Sequence, residues 1–163
     1  MVVAVLAAAG ALLAGRGTES SQAPRSASVP AAAIEARVDH VTDGDTVWLT
    51  GIGKVRLIGI DTPEVYGGVE CYGREASEFA KRLLTPGRRV HYELGVEERD
   101  RYGRALAYVW LDDGRFFNRV VVEQGYATPL TIPPNVDYAA LFVRAARRAR
   151  RGGRGLWGRP GCV

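Results

Sequence analysis

The chain has 163 residues, 47% hydrophobic and 25% charged, which leaves room for one globular domain with a packed core. Its formal net charge is +4, yet residues 34–143 carry 13 basic and 17 acidic side chains. Most of the cationic excess lies from Arg144 onward, where there are seven arginines and no acid. Polyanion binding must therefore rest on that tail and on individual arginines, not on the overall pI.

Met1 to Gly15 is an unbroken apolar or small-residue run. It is short for a membrane span, which takes about 20 residues, and its length suits an export signal or, if left uncleaved, an anchor. A Gly/Ser/Thr/Pro/Ala-rich flexible linker follows to Ala33, so the domain is expected over residues 34–163. Cys71 and Cys162 are the only cysteines and lack metal-ligand spacing. In the oxidising compartment that export implies they are expected to pair, stabilising the fold by roughly 4 kcal/mol through loop closure.

Ile34, Ala36, Val38 and His40 alternate with Glu35, Arg37 and Asp39, which predicts a half-buried strand. Residues 46–50, the turn Gly51-Ile52-Gly53 and residues 54–60 read as strand, tight turn, strand. Ala76, Phe79, Ala80, Leu83 and Leu84 share one helical face, and Pro86-Gly87 ends that helix. Residues 89–94 and 105–111 are two more strands, and 116–124 a short helix stopped by Gly125. Pro129, Pro133 and Pro134 mark an extended loop. Tyr138, Leu141, Phe142, Ala145 and Ala149 then line one face of a last helix whose other face carries arginines and which Gly152-Gly153 ends. Three strands, a helix, two strands and two helices predict an α+β protein: a five-stranded OB-type β-barrel with three packed helices.

The chemistry concentrates in Asp43-Gly44-Asp45-Thr46 and in Arg56 followed by Asp61-Thr62-Pro63-Glu64. Carboxylates suit a hard divalent cation, a spare carboxylate can act as a base on water, and a guanidinium grips phosphate bidentately. Taken singly, Asp43-Gly44-Asp45 reads as a turn and Arg56 as a structural ion pair. Together they point to metal-assisted phosphodiester cleavage. Asp100-Arg101-Tyr102-Gly103-Arg104 adds a second arginine before the strand at residue 105. His40 and His91 are isolated and read as structural, while Tyr66, Tyr72, Tyr102 and Tyr126 are candidate stacking surfaces for bases.

As a set these residues resemble the staphylococcal (micrococcal) nuclease family. The matching stretches are Val41 to Val47, Arg56-Leu57 with Ile60 to Glu64, Val69-Glu70 with Tyr72 to Ser77, and Asp100 to Tyr108. A fainter match runs from Asn118 to Ala127 and ends near Gly155-Leu156-Trp157. The resemblance implies a calcium-dependent endonuclease on an OB-fold, cleaving DNA and RNA and leaving 3′-phosphate ends. By match, Asp45, Asp61 and the Thr62 carbonyl are the expected Ca2+ ligands, and Asp43 an outer-shell group. Glu64 is the expected general base, and Arg56 and Arg104 the expected phosphate-binding pair. No protein partner is expected, and the chain is expected to act as an exported monomer.

The chain departs from the family's type enzyme in two places. The loop over residues 65–68 is shorter and lacks its lysines, and Leu130 and Ile132 replace tyrosines that meet the nucleotide, whereas Tyr102 is retained. Affinity and base preference are expected to differ accordingly. The alternative is a non-catalytic nucleic-acid-binding OB module, and a weaker one a calcium-binding or polysaccharide-holding envelope protein. Neither needs the acids and both arginines together.

Overall fold

The computed structural model describes residues 26–162; the apolar run at Met1 to Gly15 and most of the linker after it lie outside these residues. Alternating polarity makes Ile34–Val41 strand β1, with Ala36 and Val38 turned into the core. β2 (Thr46–Leu49) and β3 (Gly53–Leu57) form a hairpin in which Gly51 and Gly53 supply positive φ of 82° and 84°. β4 (Ile60–Asp61) leads by a loop to helix α1 (Gly73–Leu83). β5 (Arg89–Arg99) and β6 (Ala105–Leu111) follow, then α2 (Phe117–Glu123), β7 (Thr128–Pro129) and α3 (Ala139–Arg151).

Five strands close a barrel in the order β1-β2-β3-β6-β5. The closing contact of β3 with β6 is parallel and sets Arg56 beside Leu106. The expected α+β architecture, a five-stranded barrel with three helices, is the one observed. Val47, Val55, Leu57, Val90, Val109 and Leu111 fill the interior, and Phe117 and Val121 of α2 pack onto the same core. A second apolar cluster of Ile58, Tyr108, Trp110, Phe116, Tyr138 and Phe142 lies apart from it. Ala27 and Val29 cover part of that cluster, and the Trp110 indole donates to the Ala27 carbonyl at 2.9 Å.

Two elements differ from their sequence pattern. The apolar run over residues 54–60 is not one strand, because the chain turns at Ile58-Gly59. Gly59 has a φ of 79°, and a Cβ there would lie 2.3 Å from the Phe142 ring, so the last helix requires both the turn and the glycine. Ile60 and Asp61 leave the barrel and pair with Thr128 and Pro129 as a two-stranded sheet. β5 continues past Leu94 to Arg99, with an irregular register against β6. Its distal end is exposed and polar, so periodicity gives no sign of it.

Asn118, fully buried, accepts from the Val109 amide and donates to the Ile58 carbonyl, tying β6 to the segment after β3. At the other end of α2, the turn Gly155–Gly158 docks through Leu156, whose N–H donates to the Gly125 carbonyl at 2.9 Å. A disulfide joins Cys71 to Cys162 across a Cα separation of 5.3 Å. No helix among the described residues is long and apolar enough to cross a membrane.

Candidate active site

Asp45 enters the site from the start of β2, Arg56 from its neighbour β3, and Asp61 from β4. The β2–β3 register sets Thr46 opposite Arg56, so the buried Asp45 carboxylate meets the Arg56 Nε at 3.3 Å through Oδ1. The Arg56 Nη2 donates to Asp61 Oδ1 at 2.9 Å, and its Nη1 donates to the carbonyls of Leu57 and Ile60, each at 2.7 Å. The kink after Leu57 is what presents those two carbonyls. One guanidinium thus holds an oxygen from each of two aspartates on different elements. The other Asp45 oxygen accepts from both the N–H and the hydroxyl of buried Thr62, at 2.9 and 3.0 Å. Asp43 Oδ1 accepts from the Asp45 amide at 3.1 Å, closing an Asx-type turn. Gly44 is required in it, because a Cβ there would sit 2.6 Å from the Thr62 methyl.

Glu64 follows Pro63 at the exposed rim. Partial desolvation and then the charges of Asp45, Asp43 and Asp61 push its carboxyl above the ordinary range. Burial and Asp45 raise Asp43, and burial raises Asp61 although Arg56 opposes the shift. Acids therefore outnumber the single cation among them. That excess of hard oxygen donors fits a divalent cation, for which Asp45, Asp61 and a backbone carbonyl such as that of Thr62 are of the right chemical type. No three His, Cys, Asp or Glu side chains among the described residues enclose an ion by themselves, so a cation here would also take carbonyl and water ligands.

The other face of Arg56 opens onto a groove of about 520 Å³. Arg101, Tyr102, Arg104, Leu106, Leu130 and Ile132 line much of the rest of it. The Arg104 Nε donates to Asp100 Oδ2 at 2.7 Å, and Asp100 Oδ1 accepts from the amides of Tyr102 and Arg104. Burial works against ionisation of Asp100, but these hydrogen bonds prevail and lower its pKa, so the pairing with Arg104 favours the charged carboxylate. Tyr102 is 68% exposed, with the Arg104 guanidinium 5.5 Å from its ring centre.

Asp43, Asp45, Arg56, Asp61, Thr62 and Glu64 thus gather at one rim, and Arg104 and Tyr102 share the groove with Arg56. Among the other tyrosines, Tyr72 and Tyr126 stack on one another and Phe79 packs on Tyr126, which takes both rings out of contention as base platforms. Tyr66 stays exposed, its hydroxyl donating to the Thr42 carbonyl. From the sequence alone Asp100 is given no role of its own; its spacing of four residues from Arg104 is a signal for pairing, although in a turn rather than a helix. Glu70, whose Oε2 accepts from the Glu64 amide at 3.0 Å, has no such signal.

A family model described as staphylococcal nuclease homologue matches residues 54–159. The chain belongs to the staphylococcal nuclease family. It is 41% identical over 128 residues to the thermonuclease of Staphylococcus intermedius, covering 75% of each chain. To the thermonuclease of Staphylococcus hyicus it is 39% identical over 127 residues, covering 74% of each. It is also 33% identical over 153 residues to Endonuclease YhcR of Bacillus subtilis (strain 168), spanning 85% of this chain and 12% of that larger protein. Within the family match lie Arg56, Asp61, Glu64 and Arg104, whereas Asp43 and Asp45 precede it.

Proposed function

We propose that this protein is an exported, calcium-dependent endonuclease that hydrolyses phosphodiester bonds of DNA and RNA and leaves 3′-phosphate ends. The observation that carries this is the position of Arg56, bonded to two acids of an acid-rich rim while lining a groove that also holds Arg104 and Tyr102. A purely structural ion pair has no need of two further acids, Asp43 and Glu64, or of a second arginine in the same groove. The family's nucleases and the disulfide support the activity and the oxidising compartment, respectively.

Asp45, Asp61 and the Thr62 carbonyl would hold Ca2+, with Asp43 in the outer shell. When bound, the ion supplies Lewis-acid polarisation of a phosphoryl oxygen and relieves the repulsion among the carboxylates. Arg56 and Arg104 donate to the remaining phosphoryl oxygens, where negative charge grows in the transition state. Glu64 accepts a proton from the attacking water as its oxygen bonds to phosphorus and the bond to the 5′ oxygen breaks. The raised Glu64 pKa makes it a stronger base than an ordinary carboxylate. The departing 5′ oxygen takes up a proton, leaving a 3′-phosphate and a 5′-hydroxyl. Tyr102 offers an exposed ring for a nucleotide beside Arg104.

Digestion of plasmid DNA and of RNA, with calcium and with chelator, tests the proposal. Degradation of both in calcium and its loss in chelator are expected. An inert protein in calcium, or full activity in chelator, would overturn it.

A further inference from the structure

Glu64 is carried by a loop with few anchors. Residues 66–70 are exposed, and Gly67 and Gly68 adopt positive φ. Both backbone groups of Glu64 are nevertheless bound, and by one residue. Glu70 Oε2 accepts from the Glu64 N–H at 3.0 Å, and the Glu70 N–H donates to the Glu64 carbonyl at 2.9 Å. Gly73 closes the arrangement: its N–H donates to the Glu70 carbonyl at 3.0 Å, and a Cβ on it would lie 2.5 Å from the Glu64 oxygen.

Glu70 is itself held from the C-terminus. The next residue, Cys71, is bonded to Cys162, 91 positions further on. The Cys162 amide donates to the Arg159 carbonyl, and the Arg159 guanidinium lies 5.5 Å from the Tyr72 ring centre and 3.5 Å from Glu75. Leu156 fixes this segment to the end of α2, where Gly125 and Gly155 approach too closely for any side chain on either. A cavity of about 140 Å³ between the two parts is lined by Asp61, Thr62, Glu70, Leu156 and Cys162. The tail thus reaches the underside of the acid rim.

We propose that Glu70 is a positioning residue for Glu64, and that the Cys71–Cys162 disulfide holds Glu70 in register, so that turnover falls when this disulfide is reduced. This rests on Glu64 acting as the base of the nuclease proposed above. Glu70 acts on the main chain of Glu64, not on substrate. Its charge stands close to those of Asp61 and Glu64 and repels both, so hydrogen bonding to the Glu64 amide accounts for its place better than electrostatics does. A misplacement of about 1 Å at a reacting group can cost on the order of a hundredfold in rate, and the loop supplies little else to prevent it. An added dithiol provides the two electrons and two protons that convert the disulfide to two thiols, itself becoming a cyclic disulfide.

The test measures kcat and KM on a short oligonucleotide alongside hydrogen exchange of the Glu64 amide. Glu70→Ala should lower kcat by about tenfold or more with KM held within about a factor of two, and should speed exchange of that amide. Glu70→Gln keeps an acceptor oxygen and should retain most of kcat, an outcome a role for the charge itself would not give. Reduction of the wild type by the dithiol, and the Cys71→Ser/Cys162→Ser variant, should each lower kcat, and the double variant should no longer respond to reductant. Wild-type kcat in folded Glu70→Ala, or in folded reduced protein, overturns the proposal. If the wild type degrades no nucleic acid, the nuclease reading falls. Exchange of the Glu64 amide then decides positioning alone: faster in Glu70→Ala supports it, unchanged overturns it.

Discussion

Around Glu123 cations outnumber the carboxylate; around Glu64 carboxylates outnumber the cation. Glu123, on α2, accepts from the Arg119 Nε and the Arg148 Nε, one to each oxygen and both at 3.0 Å. Partial burial works to raise its pKa, yet the two arginines prevail and lower it. At the rim, Asp43, Asp61 and Glu64 are all raised, with Arg56 the cation bonded to Asp45 and Asp61 among them. The same side-chain types therefore stabilise the fold in one place and strain it in the other. Groups held against their own repulsion in an open cleft are the pattern expected of a functional site, because folding alone would select the arrangement at Glu123.

The comparison breaks most visibly at Glu64. Glu64→Gln should lower kcat by about two to four orders of magnitude while leaving oligonucleotide binding in place, measured by fluorescence anisotropy with calcium. The wild-type rate should also fall toward acid, since the base must be unprotonated. Arg104→Ala should cost about two to three orders of magnitude in kcat. Equal activity in that variant would assign Arg104 to its Asp100 pair alone.

Glu123→Ala tests the other region and should act on stability instead. Its lowered carboxyl pKa contributes stability that is present above the unfolded value and lost as pH falls through the folded one. Removing it should cost about 1 kcal/mol at neutral pH, seen as a lower Tm, with kcat unchanged below the transition.

Asp43→Asn should move in the opposite direction by a smaller amount. A raised folded pKa stabilises the fold at low pH, and that contribution is lost as pH rises through the raised value. An asparagine keeps the oxygen that accepts from the Asp45 amide and removes the charge, so Tm at neutral pH should rise while activity falls. A lower Tm would place Asp43 with Glu123 as a structural acid.

Much of the barrel was legible because its strands carry their own marks. Alternation in residues 34–40 and the paired glycines at 51 and 53 are local properties, and they survive folding. Arg56, Asp61 and Glu64 stand within nine residues, so their types alone suggested a common task. The expected single strand over residues 54–60 failed because its end is set by Phe142, more than 80 positions away. The far half of β5 and the β4–β7 sheet escaped for a related reason: exposed or two-residue strands bury too little to leave a pattern.

What the sequence by itself determined was the order of the barrel strands and helices, the five-stranded barrel they form, and a set of acids and arginines suited to phosphodiester chemistry. These follow from periodicity, turn residues and functional-group chemistry, all of which act over a few residues. Only the tertiary structure decided that Arg56 bridges Asp45 and Asp61, that Asp100 pairs with Arg104, that Glu70 bonds both backbone groups of Glu64, and that the disulfide brings Cys162 beside Glu70. Hydrogen bonds and ion pairs require groups from distant parts of the chain to be placed to within a few tenths of an ångström, and that placement exists only once the barrel closes and its helices pack.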